Sequence, residues 1–272
     1  MVRGLYIAGT GMNVQATRMD VISNDLANVN TTGYKKDVAV IESFPEVLMK
    51  RLGGTQGVPN LERSQTIPPL GAVTIPLTTI GSMNYGAKVQ DIYIHFAQGS
   101  FINTGKQTDI ALQNEGFFIV NTPDGEKLTR DGSLVVGTNG DLLTQEGYNV
   151  MGQEGPVNLG EDFFTSSGQF EINEFGQVRR GEGILDTIRL VTVDDLQLLE
   201  KLDDNLYTTD QDFVDTAATT RIIQGYLESS NVNVVSAMVD MITVSRAYES
   251  NQKMVQVHDD LMSKAVNEVG KA

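Results

Sequence analysis

The sequence predicts a mainly β protein with a long α-helix at each end. Apolar residues recur at heptad spacing near the N-terminus and again near the C-terminus, which is typical of amphipathic helices that pack on other helices. Between the two ends, the hydrophobic period changes to about two, and short apolar runs are separated by turn residues. We therefore expect an all-β middle domain plus an N- and C-terminal helical coiled-coil domain.

The N-terminal helical segment is predicted over residues 1–36. One apolar row consists of Leu5, Met12, Met19 and Leu26, and its companion row consists of Ala8, Gln15, Ile22 and Val29, where only Gln15 is polar. We expect Thr31-Thr32-Gly33 to close this helix, because glycine suits the left-handed position that follows a helix C-terminus.

The middle of the chain changes in composition twice. Residues 37–90 are rich in Gly, Pro, Thr and Ser, including Gly53-Gly54, Pro68-Pro69 and Gly71, and are predicted to form an extended connector. Residues 91–222 are predicted to form a β-rich outer domain. Its runs 117–120, 134–136, 170–172 and 188–191 have strand composition, and its turn signals are Asp124-Gly125, Asn139-Gly140 and Glu174-Phe175-Gly176.

The C-terminal segment, residues 223–272, is predicted to carry the second helix from about residue 233 to 268. Val, Met, Tyr, Val, Met and Val follow one another at intervals of seven from position 234 to 269, and Asn231 or Asn233 can cap the start. The spacing alone leaves open whether the stripes form an intramolecular core, a dimeric coiled coil or contacts in a polymer. The predicted interface residues are Leu5, Ala8, Met12, Met19, Ile22, Leu26, Val29, Val234, Met238, Met241, Tyr248, Val255 and Met262.

Charge and composition exclude several classes of partner. The formal net charge of −15 leaves no basic surplus to neutralise nucleic-acid phosphates, and no apolar run is long enough for membrane insertion. The absence of cysteine excludes thiol nucleophiles and disulfides. At the N-terminus, Gly9, Gly11 and Asn13 interrupt the apolar region of a would-be signal peptide. If the protein is exported, we expect it to leave without a cleaved signal peptide.

Few residues suggest chemistry. Residues 194–215 hold eight acidic residues against Lys201 alone, but without EF-hand spacing, so a solvated loop region is favoured over a metal site. His95 is expected to face solvent on a strand, and His258 to lie on a helix surface or interface. Residues 99–106 resemble a phosphate loop but have five residues between the glycines and no hydroxyl after Lys106. We predict no enzyme, no cofactor, no metal and no small-molecule substrate.

Three stretches together resemble the rod and hook family of the bacterial flagellum. The first is Gly11-Met12 with DVISNDLANVNTTGYK over residues 20–35. The second comprises DIAL at 109–112, GFF at 116–118 and TRDGS at 129–133. The third runs QGYLESSNVN at 224–233, then MVDMI at 238–242 and RAYE at 246–249. Asp25 stands where the family usually has asparagine, Leu134 where it has phenylalanine, and Ser236-Ala237 where it tends to be acidic.

The resemblance implies a structural subunit of the basal-body rod. Its terminal helices would polymerise into the inner tube of a drive shaft that transmits torque from motor to hook, with the β domain outside. Implied partners are copies of itself, neighbouring rod and hook subunits and the flagellar type III export apparatus. The length fits a proximal or a distal rod subunit with one β domain. The matching residues are Asn24, Leu26, Ala27, Asn28, Gly33, Gly116, Phe117, Phe118, Arg130, Gly132, Glu228, Ser230, Asn231, Arg246, Tyr248 and Glu249.

Two other functions remain open from sequence. A secreted adhesive or binding module with a coiled-coil stalk would form a discrete oligomer around a ligand site. An envelope hydrolase would need a catalytic constellation, which the sequence does not display. Open-ended polymerisation distinguishes the rod subunit from both alternatives.

Overall fold

A computed structural model of the chain describes residues 2–44, 47–50, 79–160, 163, 169–215 and 220–269. It divides into two compact units. The β unit comprises Arg18–Val40 and Asp91–Val244, and the terminal unit comprises Met1–Thr17, Ile41–Gln90 and Ser245–Ala272. Gly53-Gly54, Pro68-Pro69 and Gly71, which contributed to the connector prediction, lie outside the described residues.

The predicted helix at each end is confirmed. Helix α1 spans Val2–Ala27 and helix α2 spans Val234–Lys264, which is followed by a π-helical turn at Ala265–Val269. Asn233 caps α2, because its side-chain oxygen accepts a hydrogen bond from the Ser236 amide at 3.0 Å. Neither described helix is both long enough and apolar enough to cross a membrane.

Within the terminal unit, the two helices touch in antiparallel order. Gly4 of α1 packs so tightly on the His258 imidazole of α2 that a Cβ atom would overlap the ring. A Cβ atom at Gly11 would lie 3.0 Å from Asn251 Nδ2. These glycines let the helix backbones approach closely, and they place His258 at a helix interface, as predicted.

The described part of the segment predicted as a connector is paired in strands. Strand β1 (Asp37–Ser43) pairs with β4 (Ala87–Ile94), and β2 (Val47–Lys50) pairs antiparallel with β3 (Thr79–Met83). His95 is exposed, as predicted, but it lies directly after β4 and not on a strand.

Short antiparallel strands fill the β unit after residue 100. They are β5 Phe101–Asn103, β6 Ile110–Gln113, β7 Phe117–Thr122, β8 Gly125–Thr129, β9 Leu134–Val136, β10 Leu142–Thr144, β11 Asn149–Val150, β12 Glu171–Ile172, β13 Gln177–Arg180, β14 Gly183–Thr187, β15 Leu190–Thr192, β16 Glu200–Lys201, β17 Leu206–Thr208, β18 Val214–Asp215, β19 Arg221–Gln224 and β20 Tyr226–Glu228.

Strand β7 organises the largest sheet. It pairs with β8 through the two-residue turn Pro123-Asp124, and with β11 and β15 on its other edge. The full order is β16-β17-β8-β7-β11-β10-β9, with β18 added beside β15. Smaller sheets join β12-β13-β14, β6 with β19, and β5 with β20.

Both faces of β7 are buried in apolar clusters. Phe118 and Val120 belong to one cluster, and Phe117 and Ile119 belong to the other, as the alternation of side chains along a strand requires. The predicted β-rich middle is therefore confirmed.

Two local predictions are wrong. Helix α1 ends at Ala27 and not at residues 31–33, because the Asn28 side chain donates to the Asn24 carbonyl at 3.0 Å and the chain then turns. Residues 194–215 are not simply a loop region. Strands β16 and β17 form there, and β17 pairs with β8, which buries Tyr207 completely.

Candidate functional site

Three distant segments of the β unit converge on the carboxylate of Glu228. Lys35 Nζ donates to Glu228 Oε1 at 2.5 Å, and the Gly99 amide donates to the same oxygen at 2.9 Å. Arg130 Nη1 donates to Oε2 at 3.1 Å. The side chains of Lys35, Glu228 and Arg130 are 0%, 1% and 4% exposed. We call these four residues the Glu228 cluster.

The Arg130 guanidinium is fixed from several sides. Its Nε donates to the Gly116 carbonyl at 2.9 Å, and its Nη2 donates to the Asn114 carbonyl at 2.6 Å. The guanidinium also lies over the Phe117 ring, 5.6 Å from its centroid. The planar fork of arginine suits such a site, because several donors are satisfied in one rigid geometry.

Lys35 is a buried cation with oxygen partners. Its ammonium also donates to the Ala97 carbonyl at 3.0 Å. Burial and the nearby Arg130 charge lower the pKa of Lys35, and the Glu228 carboxylate opposes both effects. Glu228 thus stabilises two buried positive charges, so its removal leaves charges that neither water nor a counterion neutralises.

A backbone contact brings the segment after α1 against the Glu228 cluster. The Gly33 amide donates to the Glu228 carbonyl at 2.8 Å. Gly33 has φ +66°, and a Cβ atom there would lie 2.6 Å from the carbonyl carbon and oxygen of Arg130. Glycine is therefore required at position 33 for conformation and for space. This role replaces the predicted role as a helix C-terminal residue.

Asn231, just before α2, is hydrogen-bonded to the segment that follows α1. Its side-chain oxygen accepts from the Lys36 amide at 2.8 Å, and its side-chain nitrogen donates to the carbonyls of His95 and Ala97 at 2.7 and 3.0 Å. Asn231 therefore makes the cross-links, while Asn233 caps the helix.

Thr32, in the segment that follows α1, makes two hydrogen bonds to other parts of the β unit. Its hydroxyl donates to Asp131 Oδ1 at 2.6 Å, and its carbonyl accepts from Asn205 Nδ2 at 2.7 Å. Burial raises the pKa of Asp131, although the hydrogen bonds from Thr32 and the Ser133 amide act in the opposite direction. Residues 32–36 are thus hydrogen-bonded to four separate parts of the β unit.

We call the Glu228 cluster, together with residues 32–36 and Asn231, the joint. The structure brings many of the predicted motif residues to this joint. Those in it or directly against it are Gly33, Gly116, Phe117, Arg130, Glu228 and Asn231. Others have neighbouring structural roles. A Cβ at Gly132 would overlap the Ile110 backbone, Phe118 lies in the core, and Asn28 donates to Asn24 Oδ1 at 2.7 Å. Ser230 is buried, and its hydroxyl accepts from the Val232 amide. Leu26 is half-buried and Ala27 exposed on α1, whereas Arg246, Tyr248 and Glu249 lie on α2 in the terminal unit.

The predicted stripe residues are mostly half-buried in the single chain. Ala8 is buried, whereas Val234 and Met238 are exposed. The half-buried members are Leu5, Met12, Met19, Ile22, Leu26, Val29, Met241, Tyr248, Val255 and Met262.

Helix α2 also exposes apolar residues that the heptad pattern did not include. In the β unit, Val235, Val239 and Ile242 are 72%, 55% and 53% exposed and follow one another at i, i+4 and i+7. In the terminal unit, Met254, Val257 and Leu261 are exposed at i, i+3 and i+7. Their spacing would have revealed both patches in the sequence.

Sequence reasoning did not single out Lys35 as a site residue. It also did not single out Tyr34, whose hydroxyl donates to Asp25, or Lys201, whose ammonium lies beside the Asp37 carboxylate. Lys35 is the last residue of the matched stretch at 20–35, but a lysine is ordinarily read as a solvent-exposed residue. Only the folded geometry shows that its ammonium is buried beside Glu228.

Family comparisons match both ends and the middle of the chain. The model described as "Flagella basal body rod protein" matches residues 5–35, and "Flagellar basal body rod FlgEFG protein C-terminal" matches residues 223–268. "Flagellar hook protein FlgE/F/G D1 domain" matches residues 111–159. The three matches contain most of the hydrogen-bonding residues of the joint.

Curated relatives match the chain over nearly its whole length. The flagellar hook-basal body complex protein FlhO of Bacillus subtilis is 31% identical, with 100% of both chains covered. The flagellar basal-body rod protein FlgG of Buchnera aphidicola (subsp. Schizaphis graminum) is 33% identical over 97% of this chain and 98% of its own. The flagellar basal-body rod protein FlgF of Caulobacter vibrioides is 29% identical over 100% and 99%.

The chain belongs to the flagellar basal-body rod protein family. It is a structural subunit of the flagellar rod, as the motif resemblance predicted.

Proposed function

We propose that the chain polymerises through its terminal helices into the inner tube of the rod. We also propose that the Glu228 cluster fixes the C-terminal end of α1 and the N-terminal end of α2. Lys35 lies eight residues after the end of α1, and Glu228 lies six residues before the start of α2. Each chain segment that leads to a helix is therefore tied directly to the other.

The exposed apolar patches on α2 are the observation that carries this proposal. In the single chain, water surrounds Val235, Val239 and Ile242. Burial of each side chain in a contact would stabilise that contact by about 1.5–3 kcal/mol. Contiguous exposed apolar surface of this kind marks interaction sites. Copies of the same helix in neighbouring subunits offer a matching apolar surface, and repetition of such a contact builds an open helical polymer.

The geometry of the joint suits the transmission of torque. Apolar contacts are non-directional and allow sliding, whereas the hydrogen bonds of Lys35, Arg130 and Asn231 require fixed positions. If the end of either helix rotated, several of these hydrogen bonds would have to break at once. The joint would therefore pass rotation to the β unit with little slippage.

The finer parts of the proposal follow from the family. The β unit would lie outside the tube, and the partners would be other copies together with neighbouring rod and hook subunits. The protein would reach the rod through the flagellar export apparatus. We infer a structural role without catalysis, since Lys35, Arg130 and Glu228 are buried and form ion pairs with one another.

The substitution Val239→Asp tests the polymerisation proposal. Because Val239 is exposed, the dispersed subunit should fold with unchanged stability, but rod assembly and swimming should be lost. Gln252→Asp is the matched control, since it adds the same charge at an exposed polar position of α2. Normal swimming with Val239→Asp would contradict burial of this patch in the rod.

A further inference from the structure

A second buried polar group lies beside the joint, at the end of α1. Asp25 is only 7% exposed. Its Oδ1 accepts hydrogen bonds from the Tyr34 hydroxyl at 3.0 Å and from the Asp37 amide at 3.1 Å. Among the described residues, no cation lies within ion-pair distance of this carboxylate. Asp25 is therefore a buried carboxylate with neutral hydrogen-bond donors.

The Lys201 ammonium, whose charge acts on Asp25, is bound to other groups. Lys201 Nζ lies 3.3 Å from both carboxylate oxygens of Asp37 and donates to the Lys35 carbonyl at 3.0 Å. It also lies 3.6 Å from the centroid of the Tyr34 ring. Because an ammonium has three donors, Lys201 cannot turn to Asp25 without leaving one of these partners.

Other charges near Asp25 oppose one another. Arg18, Lys36, Asp37 and Asp240 line the same groove as Asp25. Asp25 also lies in the last turn of α1, where the negative end of the helix dipole disfavours a second negative charge. Burial and helix position both favour the neutral carboxyl.

We propose that Asp25 takes up a proton as the joint folds, so that acid tightens the attachment of α1 to the β unit and alkali loosens it. A proton on Oδ2 leaves Oδ1 free to accept from Tyr34 and from the Asp37 amide. No bond of the joint is lost on protonation, while the cost of a buried charge disappears. The consequence for the rod rests on the proposed role of the joint in holding α1.

The pH dependence follows from the direction of the pKa. Burial raises the pKa of Asp25 above its ordinary value of 3.8, and the hydrogen bonds from Asp37 and Tyr34 only partly oppose this. The folded chain therefore binds the proton more tightly than the unfolded chain. The resulting stabilisation is complete below the ordinary pKa and is lost as the pH rises through the raised one.

Urea unfolding of the full chain between about pH 4 and pH 8 tests the proposal. Asp25→Asn keeps an oxygen for both hydrogen bonds but has no titrating charge. We expect this variant to have a larger folding equilibrium constant than the wild type at neutral pH, by about threefold or more, and the ratio to fall towards one in acid. Asp20→Asn, at an exposed position of α1, is the control for the loss of a carboxylate from this helix.

Two results would overturn the proposal: an Asp25→Asn variant that is less stable than the wild type at neutral pH, or a ratio that does not change with pH. Carboxyl-carbon NMR of the wild type gives a second readout that needs no variant. Titration of Asp25 at or below 3.8 would also contradict the proposal. Both measurements use dispersed subunits, so they can fail while the polymerisation tested with Val239→Asp holds, or the reverse.

Discussion

Arg130 and Glu228 are 98 residues apart in the chain, yet their side chains form an ion pair at 3.1 Å that is almost entirely shielded from water. Lys35 approaches the same carboxylate from the segment that follows α1. One carboxylate thus ties together the β unit and the chain segments that lead to both terminal helices.

Glu228→Gln should destabilise the folded subunit by about 3–5 kcal/mol, because it leaves the Lys35 and Arg130 charges buried without a counterion. The measurement is the free energy of unfolding in urea. Glu174→Gln is the control: it breaks the ion pair of Glu174 with Arg221, whose side chains are 61% and 56% exposed, so its cost should be about 0–1 kcal/mol. Equal costs for the two variants would show that the Glu228 cluster contributes no more than a surface pair.

Gly33→Ala should be more harmful than a glycine substitution that strains conformation alone. Gly181 has φ +64°, and no atom lies within 4 Å of the position that a Cβ would take there, so Gly181→Ala should cost about 1–2 kcal/mol. Gly33 has φ +66° and faces the Arg130 backbone, so the clash should add about 1–3 kcal/mol. Thermal unfolding of both variants gives the comparison. Matching melting temperatures would mean that the contact between Gly33 and Arg130 does not restrict the side chain.

Tyr34→Phe should lower stability by about 1–3 kcal/mol at neutral pH, because the Asp25 carboxylate loses a buried hydrogen-bond donor. The loss should shrink in acid, where Asp25 is neutral. Tyr85→Phe removes a hydroxyl that accepts from Arg3 at the surface and should change stability by no more than about 0.5 kcal/mol. A pH-independent cost for Tyr34→Phe would separate its hydroxyl from the charge on Asp25.

The joint also predicts which fragment of the β unit folds well. A fragment of residues 91–222 retains Arg130 but lacks Lys35 and Glu228, whereas residues 18–244 contain all three. The longer fragment should unfold cooperatively and at a distinctly higher temperature, as circular dichroism can show. A shorter fragment of equal stability would indicate that the core around β7 holds the unit together unaided.

The sequence was informative where one regular period governed structure. The seven-residue rows from Leu5 and from Val234 predicted both helices, and the run at 117–120 predicted the strand at the centre of the largest sheet. Family resemblance identified Arg130 and Glu228, but neither period nor composition indicated that they are paired. That pairing depends on long-range folding, which brings β8 and β20 to the same place.

Other features could not be read because a residue type has several uses. Gly33 was expected to end a helix, since a positive φ is common there, but its positive φ serves an approach to the Arg130 backbone. Asp25 stood out only as a departure bearing on local packing, since burial of its carboxylate depends on Tyr34 and the chain around Asp37. Charge in the sequence does not reveal solvent exposure.

Electron cryomicroscopy of purified basal bodies can show whether the terminal helices form the inner tube of the rod. A peptide tag in the exposed turn just before Gly125, where a Cβ atom on Gly125 would meet nothing within 4 Å, would mark the subunit without disturbing the joint. We predict tag density on the outer surface of the rod, with α1 and α2 lining the inner tube. A rod without tag density, or one whose terminal helices face outward, would contradict this prediction.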